Sequence, residues 1–265
     1  MCGKRQSSDY RFSATFEKNY SLQMKKHIPN LITLLNLFFG CVAVVAVLFG
    51  NPQIVMVCFF LSILMDFGDG FAARMLGVSS PVGKELDSLA DMVSFGVLPG
   101  MIFYKLIGGG VLTLDDFNPA DLLPLTGFIF TMAACMRLAK FNLDTRQSVD
   151  FIGLNTPTAT GFVVGLYLIN AHNTFGLGRD VSQAGLLLPI ILIFSYLMLS
   201  EFPMFSGKFR GKGWRSNEIR FIFLILVILE FILFGYAAFA TIVLTYILLS
   251  GVAFFLGRRE ERGER

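Results

Sequence analysis

Residues 31–49 run for nineteen positions without a charged side chain, and apolar stretches of this kind recur along the chain. A bilayer's hydrocarbon core is crossed by roughly 17 to 25 apolar residues in an α-helix. Backbone donors and acceptors in lipid must be paired within the segment itself, which makes the helix the natural form for such runs. Hydrophobic residues make up 54% of the 265 positions and charged residues 15%, and Phe alone supplies 29. Mean hydropathy is +0.65. The fold class expected is an all-α integral membrane protein.

Reading onward between polar and Gly/Pro breaks places spans at 31–49, 54–75, 86–106, 122–141, 157–171, 185–200, 219–235 and 237–256, about eight transmembrane helices. Some thirty polar residues precede the first and no small-residue cleavage site follows it, so a cleaved signal peptide is not expected. The organisation expected is a cytoplasmic N-terminal arm at 1–26, with an interfacial helix around 10–26, then a transmembrane core at 27–204. A cytoplasmic loop at 205–218, two additional helices within 219–257 and a charged tail at 258–265 complete it.

Charge distribution tests that topology independently. With the N-terminus in the cytoplasm, the inner segments hold 20 of the 22 basic residues, and only Lys105 and Arg179 fall outside. This alternation is what the positive-inside rule requires. The net charge of +3 therefore reflects topology and contact with anionic membrane lipid, and nucleic acid is not an expected partner. Cys2, Cys41, Cys58 and Cys135 form no CxxC pair, and His27 and His172 stand isolated, so neither a disulfide framework nor a His/Cys metal site is expected.

Against this background Asp66, Asp69, Asp87 and Asp91 are out of place. The second span enters from outside near Ile54, so Asp66 lies about 18 Å in at 1.5 Å per residue, and Asp91 lies about 21 Å short of Lys105 on the return. Both clusters sit in the inner half of the membrane. Asp66, Asp69, Gly70 and Ala73 follow i, i+3, i+4, i+7, and Gly83, Asp87 and Asp91 follow i, i+4, i+8, one stripe on each helix. The short connection through Ser79, Ser80 and Pro81 makes the helices antiparallel neighbours whose stripes can face one another. A central Asp costs roughly 2.5 to 3.5 kcal/mol to insert, and like charges at close quarters resist joint ionisation. Arg74 and Lys84 neutralise two at most, whereas hard divalent cations favour several carboxylate oxygens. The four carboxylates are read as a divalent-metal site, with the small residues Gly70, Ala73 and Gly83 as the floor of a pocket beside it.

The pattern Asp66-x2-Asp69-Gly70-x2-Ala73-Arg74-x8-Gly83-x3-Asp87-x3-Asp91 resembles the signature of the CDP-alcohol phosphotransferases, integral membrane enzymes of phospholipid synthesis. The resemblance implies a six-helix core, supplied by the first six spans, with two further helices after it. It implies two ions of Mg2+ or Mn2+ in a cytosolic-side cavity, and transfer from a CDP-linked lipid to an alcohol with release of CMP. By position, Asp66, Asp69, Asp87 and Asp91 become metal ligands, with Asp91 also the general base. Gly70, Ala73, Arg74 and Gly83 border the cytidine diphosphate.

The segments IPNLITLLNLFFGCVAV, GKELDSLADMVSFGVLPG and RLAKFN...FIGLNTPTATG are similar to those of the membrane-type bacterial and archaeal phosphatidylserine synthases within that family, over most of residues 25 to 200. They depart from the family's GLPTP at Asn155, where Pro is expected. The resemblance implies CDP-diacylglycerol and L-serine as substrates, a homodimer as the assembly, and an active site on the cytoplasmic side of a prokaryotic inner membrane. Serine carries a carboxylate and an ammonium, so its pocket needs a fixed cation and acceptors. Arg137, Lys140 and Asn142 at the inner end of the fourth span, with Thr156 on the same side, are the candidates.

The Asp stripe is read as carrying no Ser, Cys or His nucleophile, which favours direct displacement over a covalent intermediate; Ser88 and Ser94 are read as off it, as packing groups or as supports of the ligands. Glu230 is read as a polar contact with a neighbouring helix. Two other functions fit less well. A glycerol 3-phosphate or inositol phosphate acceptor calls for more cations, and a cation or proton transporter calls for a continuous polar path that the apolar outer halves of both helices do not offer.

Overall fold

The computed structural model describes residues 3–110, 118–143, 151–204 and 217–261. Residues 205–216 of the loop expected at 205–218, and the tail beyond 261, lie outside the described residues. The chain is built of helices: α1 Gly3–Leu48, α2 Pro52–Leu76, α3 Pro81–Asp91, α4 Leu98–Leu106, α5 Phe128–Leu143, α6 Thr156–His172, α7 Ala184–Leu199, α8 Glu218–Phe234 and α9 Ala238–Glu261. Five stretches among the described residues are long and apolar enough to cross a membrane: His27–Leu48, Pro52–Leu76, Pro81–Leu106, Pro119–Leu143 and Glu218–Phe254. The last holds both α8 and α9, joined by a tight turn at Gly235–Ala237. The all-helical membrane architecture read from composition is the one observed. The one departure among the described residues is a two-residue antiparallel pairing of Phe151–Ile152 with Pro203–Met204.

Helix boundaries follow local chemistry. Asn51 caps α2 by accepting the Ile54 N–H at 3.1 Å, and Pro52 starts the helix where a missing N–H costs nothing. Gly77, at φ +62, ends it in the left-handed conformation that glycine adopts without strain. Ser80 caps α3 through the Gly83 N–H at 2.9 Å. Asn155, the residue that departs from the family's GLPTP, caps α6 by accepting the Thr158 N–H at 2.8 Å, so a side-chain acceptor begins the helix at that point.

The helix α6 is the central post. It is buried along nearly its whole length, from Thr156 through Ile169, as a helix without a polar face must be. In lipid the hydrophobic effect does not drive helices together, so contact rests on close packing and polar ties. Gly165 meets α9 so closely that a Cβ there would stand 2.5 Å from the Ala240 backbone nitrogen. Phe59 of α2 packs edge-on to Phe95 at 6.3 Å, and Phe162 of α6 stacks on Phe194 of α7 at 4.4 Å. The segment leading into α6 is pinned to the inner end of α7: the Gly153 N–H donates to the Phe202 carbonyl and the Leu154 N–H to Leu197. Gly153 has φ +74, and a Cβ there would press on the carbonyls of residues 197, 198 and 200. That fit fixes where the first turn of α6, and with it Thr156, sits.

Candidate active site

Three helices converge at the end of the core where the turn at Gly77–Ser80 joins α2 to α3. On α1 the polar residues Asn30, Thr33 and Asn36 recur at i, i+3, i+6 within an otherwise apolar run, placing them on one face. That face meets the acidic stripes of α2 and α3. Asp66, Asp69 and Asp87 each bring a carboxylate oxygen within 4.8 Å of the other two. The convergence expected from the two stripes is therefore present for three of the four carboxylates.

Each is held differently. The Thr33 hydroxyl bonds Asp69 Oδ2 at 2.5 Å and the Pro29 carbonyl at 3.1 Å, a geometry that ties α1 to the buried Asp69. The buried Oδ1 of Asp87 has no hydrogen-bond partner. A desolvated carboxylate oxygen without a donor is costly. Together with two neighbouring carboxylates it is a donor set of hard oxygens that suits a divalent cation.

Asp91 lies outside this group of three. Its Oδ1 accepts from the Asn36 side-chain amide at 3.1 Å. Asn36 is fully buried, and its backbone carbonyl accepts from the Ser62 hydroxyl of α2 at 3.3 Å and the Ser94 hydroxyl at 3.1 Å. One residue of α1 thus ties α2, Asp91 and the segment after α3 together. That segment, Met92–Val97, is a π-helical turn. Such turns insert a residue into the helix and recur at functional sites; here it carries Ser94 to the Asn36 carbonyl. Gly40 makes room, since a Cβ there would overlap the Ser94 side chain.

A cavity of about 250 Å³ opens beside the carboxylates, and Asp69, Gly70, Ala73, Gly83 and Asp87 border it. Gly70, Ala73 and Gly83 are thus pocket residues as their spacing suggested. Arg74 is exposed and is not among the lining residues; its guanidinium folds back toward Gly70, with Nη1 3.3 Å from where a Cβ would stand. Asn30, Thr33 and Ser80 complete the wall. The sequence reading passed over the α1 residues, although their helical spacing was the signal that would have found them.

The four acceptor-pocket candidates divide. Arg137 is 8% exposed, its Nε is buried without a partner, and its guanidinium lies within electrostatic reach of Asp91. Its charge also rests over the Phe141 ring at 5.6 Å. Thr156 is fully buried and its hydroxyl is unpaired. One turn further on, the Thr160 hydroxyl bonds the Phe95 carbonyl at 3.0 Å.

Lys140 is exposed. The Asn142 amide donates to the Ser88 hydroxyl at 2.8 Å, and its carbonyl accepts from Lys84 Nζ at 2.7 Å. Asn142 is therefore a strut between the inner ends of α3 and α5. Ser88 and Ser94 are hydrogen-bonding links, to Asn142 and to the Asn36 carbonyl, and Glu230 binds the neighbouring helix, accepting from Thr241 at 2.7 Å and Thr245 at 2.5 Å.

Comparison with known proteins agrees with this geometry. The sequence model of the CDP-alcohol phosphatidyltransferase family matches residues 26–201. A CDP-diacylglycerol--serine O-phosphatidyltransferase of Bacillus subtilis is 32% identical over 183 residues, 68% of this chain and 92% of that one. A protein of the same name from Saccharomyces cerevisiae is 33% identical over 210 residues, 71% of this chain and 72% of its own. An archaetidylserine synthase of Methanothermobacter thermautotrophicus is 28% identical over 184 residues, 68% and 71% of the two chains.

Proposed function

The chain belongs to the CDP-alcohol phosphatidyltransferase family, and from that premise we propose that it transfers the phosphatidyl group of CDP-diacylglycerol to the hydroxyl of L-serine with release of CMP. The observation that carries this is the meeting of Asp66, Asp69 and Asp87 within 4.8 Å of one another beside the small-residue cavity. The choice of serine is supported by the names of the relatives, by the buried Arg137, whose Nε has no hydrogen-bond partner and which lies within electrostatic reach of Asp91, and by the buried, unpaired Thr156 hydroxyl.

Asp66, Asp69 and Asp87, with Asp91 at their edge, would hold two ions of Mg2+ or Mn2+. Bound there, the ions neutralise the pyrophosphate and the departing nucleotide. The protein does the rest by placement. Gly70, Ala73 and Gly83 leave room for the cytidine diphosphate. Arg137 receives the serine carboxylate, and the Thr156 hydroxyl is a further polar contact. Asp91, oriented by Asn36, takes the proton from the serine hydroxyl as its oxygen bonds the phosphorus that carries diacylglycerol. The bond from that phosphorus to the bridging oxygen breaks, and CMP leaves with the electron pair. One displacement suffices: the hydroxyls nearest the Asp stripes in register, those of Ser62 and Ser94, are both committed to the Asn36 carbonyl and offer no nucleophile.

We place the site on the cytoplasmic side of a prokaryotic inner membrane, with eight crossings and both termini inside, on the strength of the distribution of basic residues. A cysteine introduced at 205–217 should resist labelling from outside intact cells, and efficient labelling overturns the topology. A second copy of the chain is the proposed partner, to be checked by crosslinking in native membranes.

The activity is tested by supplying purified protein with CDP-diacylglycerol and a panel of alcohols and measuring CMP release. Serine should be preferred over glycerol 3-phosphate and inositol phosphate. In Asp91→Asn, donor binding should persist while serine-dependent release drops by about 10²- to 10⁴-fold, the usual contribution of a general base. Near wild-type turnover in that variant at saturating Mn2+ and serine means another group takes the proton.

A further inference from the structure

Phe59, Ile63, Asp66 and Gly70 follow i, i+4, i+7, i+11 along α2, which puts them on one stripe. Gly70 borders the nucleotide-side cavity. Phe59 and Ile63 border a second and larger cavity, of about 490 Å³, deeper in the membrane. Asp66 therefore stands between two cavities, about 10 Å along the helix from Phe59.

The second cavity is walled on its other sides by Pro157 and Gly161 of α6, by Phe223 and Phe231 of α8, and by Val243 of α9. Its polar lining is confined to Asn155, Thr158 and Tyr246. Asn155 and Thr158 belong to the inner first turn of α6, and Tyr246 lies within electrostatic reach of Arg137. Away from that end the lining is aromatic, where Phe239 packs against Phe60 at 5.4 Å and Phe231 at 5.6 Å.

We propose that this cavity takes one acyl chain of the CDP-linked lipid donor, and that α8 and α9 are present to form its wall. The inference rests on the function proposed above and adds to it a role for helices that lie beyond the family match, which ends at residue 201. The order of chemistry along α2 is the order within the donor: nucleotide, pyrophosphate, then hydrocarbon. A helix from another protein does not fit. With side chains it is about 10–12 Å across, so one helical turn would exhaust the volume. A single alkyl chain, tethered at the carboxylates and running outward past Ile63 and Phe59, does fit. The chain leaves one apolar medium for another, so the groove contributes packing and alignment of the reacting phosphorus more than affinity.

Gly161 gives the test. A Cβ there would meet the Phe59 ring at 3.5 Å and Val243 at 3.9 Å, both ordinary contacts, so Gly161→Ala is tolerated and Gly161→Leu projects into the groove. CMP release is measured at saturating serine with dihexanoyl and dioleoyl CDP-diacylglycerol. Gly161→Leu should lower kcat/KM for the dioleoyl donor by about tenfold or more, the scale on which apolar pockets discriminate. The dihexanoyl donor and the serine KM should be unaffected. Equal losses with both donors, or no loss with either, overturn the inference.

A second readout does not depend on turnover. A donor carrying a diazirine in one acyl chain should label peptides of α8 and α9, with competition by CDP-diacylglycerol but not by phosphatidylglycerol. Labelling elsewhere, or equal competition by both lipids, assigns the groove to bulk lipid and refutes the proposal. Absence of CMP release by the wild type with every donor and alcohol refutes the proposed function instead, while the labelling result still decides the groove.

Discussion

Asn36→Leu isolates the contribution of α1 to Asp91, the carboxylate proposed as the base. The side chain is fully buried and its amide donates to Asp91 Oδ1 at 3.1 Å. Leucine is of similar size, so the packing volume is nearly kept, and the two bonds to the Asn36 carbonyl from Ser62 and Ser94 survive because they are made to backbone. What is lost is one hydrogen bond to a carboxylate, worth about 1.5–3 kcal/mol. Expressed fully in the transition state, that is about a 10- to 150-fold fall in kcat. The fall should stay below that of Asp91→Asn, since the base itself remains. The assay is CMP release in detergent micelles at saturating serine and metal, with the KM for CDP-diacylglycerol determined alongside and the unfolding temperature followed to confirm an intact fold. A folded Asn36→Leu protein whose kcat is within twofold of wild type would show that the contact does not orient Asp91.

Asp69→Asn should abolish turnover, as should excess chelator, with activity in the chelated wild type restored by added Mn2+; sustained CMP release in chelator would remove the metal from the chemistry. Arg137→Ala should raise the KM for serine by about tenfold or more while an uncharged alcohol is affected less, because the serine carboxylate would be left without a cation; the two acceptors suffering alike would take Arg137 out of the proposed serine pocket. Thr245→Val removes the 2.5 Å bond to Glu230 but leaves the 2.7 Å bond from Thr241, so the protein should lose about 0.5–2 kcal/mol of stability with kcat unchanged, as read by thermal unfolding in detergent beside the activity assay. An unchanged unfolding temperature there would mean that Glu230 does not clasp the terminal hairpin.

The helices and the acidic stripes were legible in the sequence because both depend on local rules. Uncharged runs of membrane length have no stable form but a helix, and a 3.6-residue period puts Asp66 and Asp69 on one side of α2 whatever surrounds them. The caps at Asn51 and Ser80 are equally local.

Which helix those stripes face is decided by packing between segments far apart in the chain. Thr33 reaches Asp69 across 36 positions and Asn36 reaches Asp91 across 55, and no spacing rule within either helix could announce it. The π-helical turn breaks the regular period only beyond Asp91, and Asp91 itself is tied to Asn36 while staying within electrostatic reach of the other three carboxylates. The same holds at the inner end of α5. Arg137, Lys140 and Asn142 are neighbours in sequence, but tertiary contacts bury the first, leave the second exposed and tie the third to Ser88. The packing of α9 on α6, with α8 held against α9, which encloses the apolar cavity, likewise depends on shape. Hydropathy marks those helices as membrane segments, but only close packing, such as that of Gly165 on Ala240, determines the neighbours against which they rest.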